Sequence, residues 1–399
     1  MTEWAGPLGK LQVLDFTRVL AGPYATLILG DLGAKIIKIE APGKGDDTRG
    51  FPPFHNDLSH YYTAMNRNKA SLAIDLRQAE GRDIALRLAE QSDVLVENFR
   101  PGVMDRLGLG YQQIAARNPR IVYCSISGFG MEGPLSDKPS FDIVTQALSG
   151  AMSVNGEPGG GPAKLGLPLG DMVGGINGSI AILAALTERS ETGRGRHIDI
   201  SLLDGLIGML GYLAQLYFVT GKSPQPVGTR HPNLVPYGSF QTADGHVIVA
   251  CLTEDFWKNL ARAIGRAELI EDARFASYDS RLKNRDALDA EVAGEMVKRT
   301  TQEWVRILEE GDVPHAPILS VEQALQHPNT IARGMVTKVQ HPELGEFNML
   351  GRPIKFPGSP QSDLKPPSQL GADTRAVLRE QLGLSDADLD ALYQHKVLA

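Results

Sequence analysis

Short apolar strands alternate with helices through the first 130 residues, and this alternation constrains the fold more than any other feature of the sequence. Residues 11–16 read as a mostly apolar strand, residues 24–32 as an apolar helix and residues 35–40 as a second strand. Tight joins between strand, helix and strand are typical of the βαβ unit of a parallel sheet. The pattern recurs, with strands predicted at 71–75, 93–97 and 121–126 and a helix at 78–91. We therefore predict an α/β fold, an architecture that hosts many unrelated chemistries.

The composition changes near residue 222, where a Pro- and Gly-containing run predicts a crossing between domains. Beyond it, residues 237–241 and 246–252 predict a β-hairpin, and charged amphipathic helices follow between residues 254 and 310. A second crossing is expected near residues 312–317. The middle of the chain is thus predicted to form a smaller α+β domain.

Length and charge restrict the class of protein. A chain of 399 residues predicts about two domains. A formal net charge of −7 without a basic run argues against nucleic-acid or membrane partners, and no apolar span or N-terminal targeting pattern is evident, so a cytoplasmic location is expected. The two cysteines lie in predicted strands and are expected to be unpaired. The nine histidines show no metal-ligand spacing, and no metal site is expected.

A glycine-rich segment leads into Asp171 and a helix of small residues. The glycines before Asp171 let the backbone approach a ligand, and Gly174, Gly175 and Gly178 make the helix thin enough for another backbone or a cofactor to come close. Asp171 has two interpretations. As a helix N-cap it would accept hydrogen bonds from amides of the first turn, whereas as a nucleophile it would attack an acyl centre. The local sequence alone favours the cap.

Two loops carry polar side chains where a ligand could bind. Residues 98–102 follow the carboxyl end of a predicted strand, where open α/β sheets place ligands, although Asn and Pro-Gly also form plain turns. Residues 41–68 form a long charged loop that is either solvated or contacts phosphate. Farther on, an apolar helix is predicted from about residue 202 to 220. His197 is expected to be structural, because no partner is evident nearby.

Several sequence blocks occur in a characteristic order along nearly the whole chain. They span residues 13–23, 30–40, 66–69, 96–99, 123–128, 169–171 and 228–232. In this order they resemble the class III CoA-transferase family, of the formyl-CoA transferase type. The resemblance implies a large Rossmann-like domain built from both chain ends, a smaller α+β domain and an interlocked homodimer. The expected boundaries are 1–222 for the first part of the large domain, 223–328 for the small domain with its linkers, and 329–399 for the segment that returns to the large domain.

The resemblance also implies a role for Asp171. In that family the matching aspartate attacks a donor acyl-CoA to give a mixed anhydride and CoA thiolate. The thiolate returns to form an aspartyl-CoA thioester, from which an incoming carboxylate receives CoA. This reverses the preference for the cap. Acyl-CoA and a small carboxylic acid are then substrates, no permanently bound cofactor is expected, and the helix dipole is expected to keep Asp171 ionised.

CoA contacts are carried over residue by residue from the same resemblance. Arg100 and Arg106 suit phosphate groups, because a planar guanidinium can donate two hydrogen bonds. The full set of expected contacts is Ala21, Ile74, Asp75, Leu76, Arg77, Asn98, Phe99, Arg100, Arg106 and Lys138.

Departures from the family pattern bear on the substrate. Formyl- and oxalyl-specific members carry histidine and glutamine where this chain has Arg18 and Leu20, and their tetraglycine loop has no counterpart here. The pattern of residues 17–23 looks closer to members that use succinyl-CoA with dicarboxylic acids such as glutarate.

Two alternative functions stay open. One is an α-methylacyl-CoA racemase, although Phe141 replaces the histidine base that this chemistry needs; the other is a non-catalytic acyl-CoA-binding protein in which Asp171 is only a cap.

Overall fold

In a computed structural model, residues 6–342, 345–359 and 363–399 are described, and the chain divides into two compact units. Unit 1 consists of Met1–Met152, Lys164–Gly221 and Ala332–Ala399. Unit 2 consists of Ser153–Ala163 and Lys222–Ile331. The glycine-rich residues of 153–163, which the sequence boundaries place in the first domain, therefore group with unit 2.

The strands of the described residues follow in chain order. They are β1 (Gln12–Asp15), β2 (Lys35–Glu40), β3 (Phe54–His55), β4 (Leu58–Ser59), β5 (Lys69–Ala73), β6 (Val94–Glu97), β7 (Val122–Ser127), β8 (His197–Ser201), β9 (Tyr237–Gln241), β10 (His246–Ala250), β11 (His315–Pro317), β12 (Val336–His341) and β13 (Gly345–Leu350).

The α-helices are interspersed with these strands, and short 3-10 turns occur at Asp47–Gly50, Ala151–Ser153 and Ala267–Ile270. The α-helices are α1 (Ala21–Asp31), α2 (His60–Met65), α3 (Ala79–Glu90), α4 (Val103–Arg106), α5 (Tyr111–Arg117), α6 (Asp142–Leu148), α7 (Leu169–Thr192), α8 (Leu202–Met209), α9 (Tyr212–Thr220), α10 (Glu254–Ala263), α11 (Tyr278–Lys283), α12 (Arg285–Met296), α13 (Thr301–Glu310), α14 (Val321–Gln326), α15 (Pro328–Ala332), α16 (Thr374–Leu382) and α17 (Asp386–Gln394).

Unit 1 is built on a six-stranded sheet in the order β5-β2-β1-β6-β7-β8. Every neighbouring pair in it is parallel. Numbered along the chain, the six strands read 3-2-1-4-5-6, the doubly wound order in which the winding reverses between the first and fourth strands, here β1 and β6. The predicted parallel α/β sheet is confirmed, and the strand predicted at 71–75 lies at Lys69–Ala73.

Side chains that alternate along the strands form two hydrophobic cores. Leu14, Ile37 and Leu95 pack with residues of α3, α5, α16 and α17. The adjacent residues Val13 and Ile36, together with Val94, pack with α1 and α7. Because successive residues of a strand point to opposite faces, the sheet is covered by helices on both sides.

Helices α1 and α7 approach each other closely at Gly175. A Cβ atom at this position would lie 2.8 Å from the carbonyl oxygen of Ala21 and 2.9 Å from a ring carbon of Tyr24. The hydroxyl of Ser179 donates a hydrogen bond to the carbonyl of Ala25 at 3.2 Å. The small residues of α7 therefore make room for the backbone of α1. Of the two neighbours expected from the sequence, another backbone or a cofactor, the structure shows the backbone.

Two helices differ from the sequence expectations. The prediction of a single helix over residues 202–220 is wrong. Gly211, with φ 51° and ψ −121°, separates α8 from α9, and the axes of the two helices are bent by 69°. Helix α7 has an 18-residue window of mean hydropathy 1.5, long and apolar enough to cross a membrane, which the sequence analysis does not anticipate. Within the protein, 44% of that window is buried, and core helices meet the same criteria.

Unit 2 contains a three-stranded antiparallel sheet in the order β11-β10-β9. The predicted hairpin is present as β9 and β10. Its buried side chains Val247 and Val249 pack with Trp257 and Trp304 of α10 and α13. Helix α13 begins with a capping box between Thr300 and Glu303, which satisfies amide groups of its first turn.

We expect Gly175→Ala to lower the midpoint of thermal unfolding, because its methyl group would meet the backbone of α1 and overpacking costs about 1–3 kcal/mol. Gly294→Ala is the matched control. This glycine lies inside α12 with open space at the Cβ position, so alanine should stabilise the helix by up to about 1 kcal/mol. Calorimetry of both variants gives the two midpoints, and a midpoint for Gly175→Ala equal to or above that of Gly294→Ala would contradict the close packing of α1 and α7.

Candidate active site

A cavity of about 270 Å³ opens in unit 1 at the carboxyl ends of β1 and β6. Residues 18–21, between β1 and α1, form one part of its wall, and residues 98–101, after β6, form another. Asp171 of α7 also lines it. This is the point where the strand order reverses, and open α/β sheets bind ligands at such points.

The cavity brings together five of the ten CoA contacts expected from the sequence and the expected nucleophile, six residues in all. The six residues that line it are Ala21, Asn98, Phe99, Arg100, Lys138 and Asp171.

The other five expected residues lie outside this cavity. Ile74 is 1% exposed and its side chain belongs to the core of unit 1, against which Leu76 also packs. Asp75 and Arg77 bind each other at 2.8 Å, and hydrogen bonds from Arg77 lower the pKa of Asp75 to about 2. Arg106 is exposed at the end of α4. Any contact between Ile74 and a ligand therefore has to involve its backbone.

Asp171 is the third residue of α7 and is half-buried. The N-cap of the helix is Pro168, so the interpretation of Asp171 as the N-cap is wrong. A different carboxylate satisfies the first turn: the amide of Gly170 donates to Oδ1 of Asp142 at 2.8 Å. Over the described ranges, no hydrogen bond reaches the Asp171 carboxylate. Its oxygens are thus available for chemistry.

The charge state of Asp171 depends on burial and on Asp142. Burial and, to a smaller extent, the neighbouring Asp142 carboxylate together raise the pKa of Asp171 to about 7. Asp142 itself is held by Gln146, whose side-chain amide donates to Oδ2 at 2.6 Å. The expectation that the helix dipole keeps Asp171 firmly ionised is therefore corrected, because desolvation and a like charge outweigh the dipole.

Tyr61 of α2, which the sequence analysis did not name, interacts electrostatically with Asp171 although it does not line the cavity. Burial raises the pKa of its phenol, and the carboxylates of Asp171 and Asp142 add to this increase. The hydroxyl is thus within electrostatic range of both carboxylates and stays protonated, as a potential hydrogen-bond donor. No sequence signal identifies it, since α2 and α7 are more than 100 residues apart in the chain.

The loop between β1 and α1 has a strained backbone at Val19. This residue has φ 67°, which is rarely adopted by a β-branched side chain. Its amide donates to Oδ1 of Asp46 at 3.1 Å. Next to it, the backbone amide and carbonyl of Arg18 both bind the side-chain amide of Asn98, at 2.8 and 2.7 Å. The Asn98 side chain therefore joins the two walls of the cavity.

Buried charges support this loop from below. Lys38 binds Asp46 at 3.0 Å and the carbonyl of Thr17 at 2.6 Å. Lys69 binds Asp15 at 3.3 Å, and burial lowers the pKa of Lys69 to about 8. All four charged side chains are almost completely buried.

These contacts decide between the alternatives for the charged loop at 41–68. Asp46, Arg49 and Arg67 are paired inside the protein, so the interpretation as a solvated charged loop is wrong for these three. Arg49 binds the buried Glu40 at 2.7 Å, and Arg67 binds Asp31 at 2.5 Å. Lys44 differs, with a side chain that is 72% exposed and bound to Asp47 at 2.5 Å.

Basic side chains lie along the cavity. Arg18 is 47% exposed, binds Asp47 at 3.2 Å and stacks over the ring of Phe99 at 4.8 Å. Arg100 and Lys138 are exposed on the same cavity. A cavity with a carboxylate that receives no hydrogen bond and with exposed cationic groups suits an anionic ligand. Among the described residues, no group of three or more potential metal ligands is found.

His197 has partners that the sequence did not reveal, which corrects the statement that none is nearby. Its Nε2 lies 2.9 Å from the hydroxyl of Ser125, and its ring stacks on Tyr111 with centroids 5.0 Å apart. These residues line a second cavity of about 150 Å³, which also contains Glu97 and Arg100.

Comparison with known proteins relates the chain to enzymes that act on CoA. The model of CoA-transferase family III matches residues 8–374. Acetyl-CoA:oxalate CoA-transferase of Acetobacter aceti is 40% identical over 383 residues, covering 96% of this chain and 97% of that protein. Succinyl-CoA:glutarate CoA-transferase of Homo sapiens is 36% identical over 387 residues, covering 97% and 88%. A crystal structure of a CAIB/BAIF family protein from Brucella suis is similar, with a TM-score of 0.84 at 36% identity over 94% of this chain and 99% of that one.

The raised pKa of Asp171 predicts a pH-dependent effect of Asp171→Asn on stability. A buried carboxyl whose folded-state pKa lies above its unfolded value destabilises the folded state as pH rises from about 4 to 7 and above. We therefore expect Asp171→Asn to raise the unfolding midpoint at pH 8 and to have little effect at pH 4.5. Asp47→Asn is the control, since it removes ion pairs in the same cavity and should not stabilise at pH 8. Thermal unfolding at both pH values measures this, and a lower midpoint for Asp171→Asn at pH 8 would contradict it.

Proposed function

Because this chain belongs to CoA-transferase family III, we propose that Asp171 is the nucleophile of its CoA-transfer reaction. One observation carries the proposal. Of the described residues that line the cavity, two are carboxylates, and their environments differ. Asp47 is bound by Arg18 and Lys44, whereas no hydrogen bond reaches Asp171 within the described chain. Asp171 is therefore the carboxylate that can attack.

The proposed reaction proceeds through covalent intermediates on Asp171. A carboxylate oxygen attacks the thioester carbonyl of the donor, the C–S bond breaks, and a mixed anhydride and CoA thiolate form. The thiolate attacks the aspartyl carbonyl, which releases the donor acid and leaves an aspartyl-CoA thioester. The acceptor carboxylate attacks this thioester to give a second anhydride, and the thiolate then takes the acceptor acyl group and frees Asp171. No net proton is transferred.

The environment of Asp171 suits this series of reaction steps. Covalent catalysis needs an ionised and poorly solvated nucleophile, and burial beside Asp142 supplies the second property. Each addition step places negative charge on an oxygen, which the nearby phenol of Tyr61 could stabilise by donating a hydrogen bond. The rate is then expected to rise with pH as the carboxyl group with a pKa of about 7 loses its proton.

The basic side chains along the cavity are proposed to bind the phosphate groups of CoA. Arg100 and Lys138 are exposed there, and the turn at 98–100 places Phe99 beside them. Residues 74–77 follow β5, two strands from β1 on the same edge of the sheet, a separation of about 10 Å. A molecule as long as CoA can span that distance, so these residues and Arg106 remain proposed contacts.

A dicarboxylic acid is the proposed acceptor, and Arg18 its recognition residue. The two relatives described above are named for oxalate and glutarate, which are both dicarboxylates. Arg18 lines the cavity, and its backbone is fixed by Asn98. Its guanidinium binds Asp47 through Nη1, so its other N–H groups can bind the second carboxylate of the acid while the first reacts at Asp171.

A second copy of the chain is the proposed partner, in the interlocked arrangement implied by the sequence resemblance. Helices α6 to α9 of unit 1 expose many large apolar side chains, and α9 buries none of its residues within the described chain. Exposed apolar surface of this extent is typical of an interface. The exposed residues are Ile143, Leu148, Ile176, Ile180, Ile207, Met209, Tyr212, Tyr217, Phe218 and Val219.

Trapping experiments test the nucleophile. After mixing with succinyl-CoA and hydroxylamine, we expect a mass increase on the peptide that contains Asp171, because the activated aspartyl group is converted to a hydroxamate. Asp171→Asn should show none, whereas Asp47→Asn, in the same cavity, should keep the adduct. Intact-mass spectrometry with peptide mapping measures this. Absence of an adduct across a panel of acyl-CoA donors would rule out the covalent mechanism.

Kinetics with two classes of acid test Arg18. We expect Arg18→Gln to raise the KM for a dicarboxylate such as glutarate by about 10–100-fold, since a charged hydrogen bond in the site is lost. The KM for a monocarboxylate should change little. Arg100→Gln is the matched control and should instead raise the KM for acyl-CoA with either acid. Equal loss for both classes of acid in Arg18→Gln would exclude a role in recognising the second carboxylate.

A further inference from the structure

Glu97 is a buried carboxyl group directly below the turn that lines the active-site cavity. It is the last residue of β6 and is 3% exposed. The backbone amide of Phe99 donates to its Oε2 at 2.8 Å. Since Phe99 and Arg100 line the active-site cavity, this hydrogen bond fixes the backbone of that wall from within the protein.

A row of polar groups continues from Glu97 across the sheet. Ser125 is the residue that pairs with Glu97 on the neighbouring strand β7, which places its hydroxyl beside the Glu97 carboxyl group. The same hydroxyl lies 2.9 Å from Nε2 of His197 on β8. Ser125 is 1% exposed, so this row is shielded from water at its centre.

The row satisfies every donor and acceptor when Glu97 carries a proton. In that state the Phe99 amide donates to Oε2, the acid proton can donate to the Ser125 hydroxyl, and this hydroxyl can in turn donate to a neutral His197. Burial, with smaller contributions from Asp105 and Asp199, raises the pKa of Glu97 to about 7 against the opposing effect of hydrogen bonds from Ser125 and the Phe99 amide. Burial also lowers the pKa of His197, against the opposing effect of the same two aspartates. The raised pKa of Glu97 and the lowered pKa of His197 both favour a protonated Glu97 beside a neutral His197.

Arg100 connects this row with the substrate site, because it lines both cavities. Its guanidinium forms no ion pair with any described residue of the chain. The charged or titratable groups around Glu97 are Asp105 of α4, Tyr111 of α5, Tyr123 and Cys124 of β7, His197 and Asp199 of β8, and Arg100 itself. An ionised Glu97 would add a third negative charge to the two aspartates and attract Arg100 toward the second cavity.

We propose that Glu97 is a positioning residue for CoA binding: as a neutral acid it fixes Phe99 and leaves Arg100 free to bind a phosphate group of CoA. This inference rests on the proposed function, which places CoA in the first cavity. It adds a proton-dependent contribution to substrate binding that is separate from the ionisation of Asp171. CoA should bind tightly while Glu97 is protonated and more weakly as pH rises through about 7.

Binding of free CoA to full-length Asp171→Asn tests the proposal, since this background removes the other carboxyl group that titrates near pH 7. Isothermal titration at pH 6 and 8.5 measures the Kd. With Glu97 present we expect affinity to fall about tenfold between these pH values. The additional change Glu97→Gln should abolish most of that fall, because the glutamine amide accepts from Phe99 and donates to Ser125 without ionising. Ionisation of the CoA phosphates, with a pKa near 6, is common to both proteins and cancels in the comparison.

Two further variants sharpen the result. Glu97→Ala should bind CoA several-fold more weakly than Glu97→Gln at pH 6, since the Phe99 amide loses its acceptor. Arg100→Gln in the Asp171→Asn background should lose the pH dependence even with Glu97 present. Circular dichroism shows that each variant is folded before titration.

The outcomes separate this inference from the function on which it rests. If Asp171→Asn binds CoA and Glu97→Gln leaves the pH dependence unchanged, the role of Glu97 is overturned and the function stands. Equal affinity of the Ala and Gln variants at pH 6 would also overturn it. If Asp171→Asn binds no CoA at either pH value, the proposed CoA site fails and this inference fails with it.

Discussion

Buried ion pairs below the β1–α1 loop are the interactions on which the active-site geometry depends. Lys38 and Lys69, on neighbouring strands of the sheet, are paired with Asp46 and Asp15 and are almost completely buried. Removal of one partner of a buried ion pair commonly lowers the free energy of unfolding by about 3–5 kcal/mol, because the remaining charge is left uncompensated. Each of these four charges is therefore stabilised by its partner. The arrangement also supplies the acceptor that holds the strained backbone of Val19 at the cavity wall.

The same side-chain type has three roles around this cavity, and environment alone distinguishes them. Asp47 neutralises Arg18 and Lys44. Asp142 accepts hydrogen bonds from the first turn of α7 and from Gln146, so its charge is stabilised in place. Asp171 receives neither and has a raised pKa. A carboxylate that is poorly stabilised in the resting protein gains more from bond formation, which is the physical basis for proposing Asp171 as the nucleophile.

Close packing of α1 on α7 connects the two parts of the site. The first residue of α1, Ala21, lines the cavity, and its carbonyl lies against Gly175, four residues after Asp171. Protein interiors are dense and relax only partially, so the separation of the loop and the nucleophile is fixed by this contact. The glycine of the helix thus has a structural role, and access of a ligand to Asp171 comes from the cavity side.

Local signals in the amino-acid sequence were sufficient to predict individual helices and strands and the chemistry of single residues. The strand predicted at 35–40 is β2, residue for residue, because apolar runs and tight joins are local signals. Ordered blocks also led to the family and to Asp171. Tertiary structure alone decided which carboxylate caps α7, since Asp142 is 28 residues from Gly170, and it alone placed Glu97 beside Ser125 and His197. Burial, pKa and hydrogen bonding depend on groups brought together across strands and helices, and the spacing of residues along a chain does not specify those distances.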